Sequence, residues 1–150
     1  MDGRYFEQLN VGDSIESAGR TITEQDIMQF AALSGDDNPI HVDPEFAKTA
    51  IFGQQIAHGL LGLAIASGLA LQTGLVRGTA EAFTACDWKF RAPIFIGDAV
   101  RIQAQVTRKK AMRRLGGGLV VLEVTMLNQR DQVVQKGTWT ALVRSQEKLA

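Results

Sequence analysis

The sequence predicts an α+β domain in which an antiparallel sheet packs around one long apolar helix. Three observations carry this reading. Residues 49–76 contain no Lys, Arg, Asp or Glu and are dominated by Leu, Ile, Ala and Gly. Residues 100–107 alternate strictly, with Val100, Ile102, Ala104 and Val106 apolar and Arg101, Gln103, Gln105 and Thr107 polar, the period of a strand with one buried face. The helix signals all fall in the first half of the chain, which segregates helices from strands as α+β domains do.

Taken in order, residues 14–21 read as a weak strand segment. Thr23 followed by Glu24, Gln25 and Asp26 reads as an N-cap with acids in the first turn. Ile27, Phe30, Ala31 and Leu33 then recur at helical spacing, and Gly35 is a natural stop. Asp36-Asp37-Asn38-Pro39 is a turn-forming run. Asp43-Pro44 reads as a cap with proline at the first helical position, opening a short helix over 45–50. The long helix begins near His58 and ends near Gly74. Residues 83–90 form a further strand segment, and residues 119–127 and 133–143 read as two strands joined by a hairpin turn at Asn128-Gln129-Arg130-Asp131.

Length and composition bound the function. The 150 residues fit one domain over 1–150 with a core of its own. A single cysteine excludes a disulfide framework and a Cys-rich zinc site. Zero net charge argues against nucleic acid as a partner, because phosphate binding requires a basic surplus. The opening MDGRYFEQLN lacks the basic-then-apolar pattern of a signal peptide, so the expected location is the cytoplasm. The uncharged block is long enough to suggest a membrane span, but His58, Gln72 and its several glycines dilute it and no aromatic belt or basic cluster flanks it. A buried helix is the expectation, with no membrane partner. The charge balance hides an asymmetry: residues 1–48 are strongly acidic, residues 81–150 strongly basic, and only Arg77 is charged between 49 and 80.

The candidate chemistry lies where the acidic zone meets the uncharged helix. The only histidines are His41 and His58. Asp36 and His41 share a loop bent by Pro39, and a carboxylate and an imidazole reaching one water form a general acid/base pair. On its own the spacing better describes a turn-capping acid and a surface histidine. Gly59 opens the apolar helix, where backbone N–H groups lack partners and can hold an oxyanion; it also reads as a point of close helix–sheet packing. Asp36, Asp37, His41, Asp43 and His58 include metal-ligand types, but no HExxH-like pairing occurs, and no metal is expected. Arg108 to Arg114, preceding Gly116-Gly117-Gly118, reads either as a flexible phosphate-gripping hairpin or as a solvated turn. Cys86 alternates with Trp88 and Phe90 and reads as a core residue. The glycine triplet lacks the spacing of a nucleotide motif.

Together, FAALSGDDNPIHVDPEFA and GQQIAHGLLGLAIASG closely resemble the MaoC-like hydratases, the R-specific enoyl-CoA hydratases of the hotdog fold. Val11-Gly12-Asp13, Phe90-Arg91-Ala92-Pro93 and Gly97-Asp98 extend the resemblance over nearly the whole chain. It implies a sheet wrapped around the helix, a homodimer or higher homo-oligomer, no cofactor, and syn addition of water to a trans-2-enoyl-CoA. Asp36 and His41 match the family's catalytic pair, and Gly59 the position whose N–H polarises the thioester carbonyl. Asn38 is expected to shape the loop, Ser67 to stand close to the site, and His58 to fix the helix start. Arg113 and Arg114 are expected to meet the CoA phosphates. Two neighbouring activities share the fold: thioesterases, which commonly place a carboxylate on the central helix where this sequence has none between Glu45 and Glu81, and carrier-protein dehydratases running the reverse reaction. A non-catalytic acyl-CoA-binding module is the alternative from another class.

Overall fold

A computed structural model describes residues 3–147; Asp2 and Lys148, counted in the charge zones, lie outside them. Four strands make the body of an antiparallel sheet: β3 (Ala80–Phe90), β4 (Ala99–Met112), β5 (Gly117–Leu127) and β6 (Val133–Arg144). The short β1 (Ser14–Glu16) and β2 (Arg20–Thr21) both pair with β4, giving the order β1-β4-β5-β6-β3 with β2 beside β4. The helices are α1 (Glu24–Ser34), α2 (Pro39–Val42), α3 (Pro44–Thr49) and α4 (Gly59–Gln72). The α+β class stands as expected.

The local signals explain these elements. Thr23 Oγ1 accepts the Asp26 N–H while the Asp26 carboxylate accepts the Thr23 N–H, a reciprocal capping box that starts α1. Gly35 ends it in the left-handed region at φ 79°. Ile27 and Ala31 form the buried stripe of α1, whereas Leu33 is exposed, one position off that stripe. Asp43 caps α3 through the N–H groups of Glu45 and Phe46. The hairpin turn closes on Asn128 Oδ1, which accepts the N–H groups of Arg130 and Gln132.

The core forms where one face of α4 meets the inner face of the sheet. Leu61, Ile65, Ala66 and Leu69 pack with Val100, Ile102 and Val106 of β4, Val120 and Val124 of β5, and Trp139 of β6. Gly62 permits close approach, since a Cβ there would collide with the Gln135 amide. No helix among the described residues is long and apolar enough to cross a membrane.

Three expectations need correction. The basic run is not a flexible hairpin: Arg108, Lys109 and Lys110 continue β4, and only Arg113–Leu115 form a 3-10 turn. Gly117 and Gly118 are strand residues with no room for a side chain, the first against the Val143 carbonyl and the second against the Phe6 ring. Cys86 is exposed instead of buried. It shares the inner face with Trp88, but β3 is an edge strand, and nothing among the described residues covers that part of it. Partial burial and the neighbouring Asp87 push the Cys86 thiol up, away from thiolate chemistry.

Candidate active site

The loop between α1 and α4 is built to present Asp36 and His41. The Asp36 carboxylate turns back to accept the Asn38 N–H at 3.3 Å, and the His41 N–H binds the Asn38 carbonyl at 2.9 Å. These contacts wind the one-turn helix α2 with Pro39 at its first position. Asn38 therefore shapes the loop through its backbone. His41 is then fixed from the strand-like segment before α4. Its Nδ1 lies 2.8 Å from the Ile56 carbonyl, and its own carbonyl accepts the Gln55 side-chain N–H at 2.8 Å. A carbonyl can only accept, so Nδ1 carries the proton and Nε2 is left as the basic nitrogen.

His58 does not cap α4 with its side chain. Its ring turns away from the helix to hold the loop: Nε2 donates to the Asp36 carbonyl at 2.8 Å, and the ring stacks on His41 with centroids 3.9 Å apart. Phe30 of α1 closes the other side at 4.8 Å. His58 is 2% exposed and its Nδ1 has no hydrogen-bond partner among the described residues. Asp36, His41 and His58 bring one ligand-type atom each within 4.8 Å of the others. The two imidazoles are tilted by only 27°, so their in-plane lone pairs run side by side and do not converge on one ion at about 2.0–2.1 Å. The cluster suits proton transfer better than metal binding.

Gly59 begins α4 directly after His58, with the unpartnered first-turn N–H groups of the helix on the same side. Its fit is tight: a Cβ would stand 2.8 Å from the Phe90 ring. A hydrogen-bonded chain with no local signal in the sequence holds this turn. Trp88 Nε1 donates to Gln135 Oε1 at 2.8 Å, and Gln135 Nε2 donates to the Gly59 carbonyl at 3.1 Å. Beside it lies a cavity of about 290 Å³ lined by Gly59, Phe90, Arg91, Phe52, Ile94 and Gln135. A larger apolar cavity of about 480 Å³ opens between the second half of α4 and β3, lined by Leu71, Val76, Phe83, Leu122 and Trp139.

Asp36, His41 and Gly59 are thus brought to one place, with His58 between them. Ser67 is not: it lies about 12 Å along the helix from Gly59, donates to the Ala64 carbonyl at 2.6 Å, and lines the apolar cavity. Arg113 and Arg114 lie at the far end of the sheet. Gln135 marks the Gly59 end of β6, while Arg144 beside the Arg113 turn marks the other, and nine strand residues span about 30 Å. Within one chain they do not reach the site.

A long antiparallel sheet holding one helix, with an acid–histidine loop at the start of that helix, is a hotdog-type fold. Residues 7–127 match the MaoC like domain, and the chain belongs to that family. Among its relatives, an (R)-specific enoyl-CoA hydratase of Rhodospirillum rubrum is 42% identical over 103 residues, 69% of this chain and 69% of that protein. Protein MaoC of Klebsiella aerogenes is 36% identical over 106 residues, 71% of this chain but 31% of that protein, so the chain spans about a third of its length. A structure described as a monoamine oxidase regulatory protein from Archaeoglobus fulgius superposes with a TM-score of 0.90 at 37% identity, covering 98% of each chain. The fold alone is shared with a Mycobacterium tuberculosis protein described as a double hotdog, at TM-score 0.83 and 19% identity over 99% of this chain and 46% of that one.

Proposed function

We propose that this protein adds water across the 2,3 double bond of a trans-2-enoyl-CoA to give the (R)-3-hydroxyacyl-CoA, and removes it in reverse. The observation that carries this reading is the placement of Asp36 and His41 together beside the first turn of α4. His41 Nε2 and the Asp36 carboxylate flank a water. As its oxygen bonds to C3, this pair takes one proton. The electron pair of the double bond moves onto C2 and the thioester oxygen, where the Gly59 N–H and the helix terminus stabilise the charge. C2 then takes a proton from the same pair, so that H and OH are added and nothing is oxidised. The acyl chain occupies an apolar cavity beside α4. No cofactor enters the scheme, and a cytoplasmic location belongs to the same reading.

Incubation with crotonyl-CoA in oxygen-18 water tests this directly. Label is expected on the C3 hydroxyl with the thioester intact. Free CoA with label in a carboxylate indicates a thioesterase and contradicts the reading.

The proposal includes a homodimer. Nine of the eleven residues of β3 pair on one side with β6, while the other edge has no strand partner among the described residues and carries Phe83 at 58% exposure and Phe90 at 53%. A long apolar edge of this kind invites a further strand. The adjoining face of α4 is also uncovered, with Leu60 60% exposed. Sedimentation equilibrium is expected to read two 16.3 kDa chains, and Phe83→Lys with Leu60→Lys to shift it toward one. A wild-type monomer contradicts this assembly.

A further inference from the structure

We propose that Arg91 selects the substrate: the preferred enoyl thioester carries a carboxylate one or two carbons beyond C3, and the Arg91 guanidinium holds it. This names a substrate class within the hydratase reading and rests on that reading.

The cavity beside Gly59 has largely apolar walls, among them Phe52, Phe90 and Ile94. Gln135 is polar but already engaged, because its Oε1 accepts from Trp88 and its Nε2 donates to the Gly59 carbonyl. Arg91 is the one charged residue among the described residues that line this cavity. Its backbone is pinned. The Arg91 and Ala92 N–H groups both donate to the Val134 carbonyl, at 2.8 and 3.1 Å. Arg91 itself is exposed and makes no ion pair among the described residues. A fixed backbone thus carries an unpaired cation at an apolar cavity, the pattern by which a few placed polar groups set specificity.

The position of Arg91 decides which anion it meets. Phe90 lies so close to Gly59 that a Cβ on the glycine would stand 2.8 Å from the ring, and Arg91 follows Phe90 directly. With the thioester oxygen at the Gly59 N–H and the acyl chain in this cavity, a side chain anchored at Arg91 reaches the carbons just beyond C3. The coenzyme phosphates leave the carbonyl on its sulfur side, at the end of the pantetheine arm. No Asp or Glu is among the described residues that line the cavity, so an acyl carboxylate meets no like charge on its walls. The planar guanidinium matches a carboxylate with two parallel N–H···O bonds. A methyl-ended chain of equal length offers it no partner and leaves the cation against apolar groups.

Glutaryl-CoA and pentanoyl-CoA test this selection. Their acyl groups have equal length, and both are saturated and cannot be hydrated, so calorimetric titration reads binding alone. The wild-type protein is expected to bind glutaryl-CoA at least about tenfold more tightly than pentanoyl-CoA, the scale of a charged bidentate pair. Arg91→Gln is expected to bring the two affinities close to parity by weakening glutaryl-CoA while leaving pentanoyl-CoA little changed. The same preference is expected in turnover of trans-4-carboxybut-2-enoyl-CoA over trans-2-pentenoyl-CoA, carried by KM. Equal wild-type affinities overturn the proposal. Equal weakening of both esters in Arg91→Gln places the arginine on the coenzyme and overturns it as well. Hydration of both enoyl esters without preference overturns the selection and leaves the hydratase reading intact. A glutaryl preference lost in Arg91→Gln, with neither enoyl ester hydrated, upholds the carboxylate site and contradicts the hydratase reading alone.

Discussion

Asp36→Asn is expected to lower hydration of trans-2-enoyl-CoA by about 10²–10⁴-fold, the range for loss of a positioned acid or base, with little change in KM or Tm. The stability expectation follows from the contacts. Asp36 is exposed, and among the described residues its carboxylate accepts only the Asn38 N–H, which an amide oxygen accepts equally well. His41→Ala is expected to cost a similar factor. The double variant is expected to be little worse than either, because the two groups act as one unit. Steady-state rates measured beside thermal melts check both halves. Wild-type rates in either single variant contradict the assignment of the pair. A large fall in Tm for Asp36→Asn contradicts the view that this carboxylate is free of structural duty.

The largest expected effect on stability lies at Gln135, which is 2% exposed. Gln135→Met keeps the volume but removes the acceptor for Trp88 Nε1 and the donor to the Gly59 carbonyl. Leaving the part-buried Trp88 N–H and the Gly59 carbonyl without these partners costs about 1–3 kcal/mol, and in a chain of this length each kcal/mol lowers Tm by roughly 2–4 °C. Gln135 also sets the depth at which the first turn of α4 sits against the sheet, through its contact with Gly62. Turnover is therefore expected to fall even at temperatures where the variant is fully folded. Calorimetry and rates at low temperature read the two effects separately. An unchanged Tm contradicts the structural role, and a normal turnover in the folded variant contradicts the positioning role.

What the sequence revealed and what it hid divide along a physical line. Signals that act within a few residues were legible: the Thr23 capping box, the Gly35 stop, the Asp43-Pro44 helix start, the alternation of β4 and the turn at Asn128. The proximity of Asp36 and His41 belongs to the same class, because one bent loop carries both. The supports of that pair are non-local. His58 reaches Asp36 across 22 residues, and Gln135 reaches Gly59 across 76. A polar residue inside a strand pattern does not announce which carbonyl it will meet. Cys86 shows the same limit. Alternation assigns it to the inner face, but whether that face is covered depends on β3 standing at the sheet edge, a property of the pairing order. Arg108 to Arg114 mislead because a run of charge reads as a loop. β4 continues through Arg108, Lys109 and Lys110, with Lys109 lying over the Phe6 ring at 4.4 Å and donating to the Leu9 carbonyl.

The central claim is that the Asp36–His41 loop and the start of α4 form a water-adding site for enoyl thioesters. Its most direct test is the product formed by the purified wild-type protein from crotonyl-CoA, followed by loss of the enoyl absorbance and resolved by chiral chromatography. The account predicts (R)-3-hydroxybutyryl-CoA as the product, with the thioester intact. No turnover with crotonyl-CoA or longer enoyl-CoA esters, or formation of the (S) product, would contradict it.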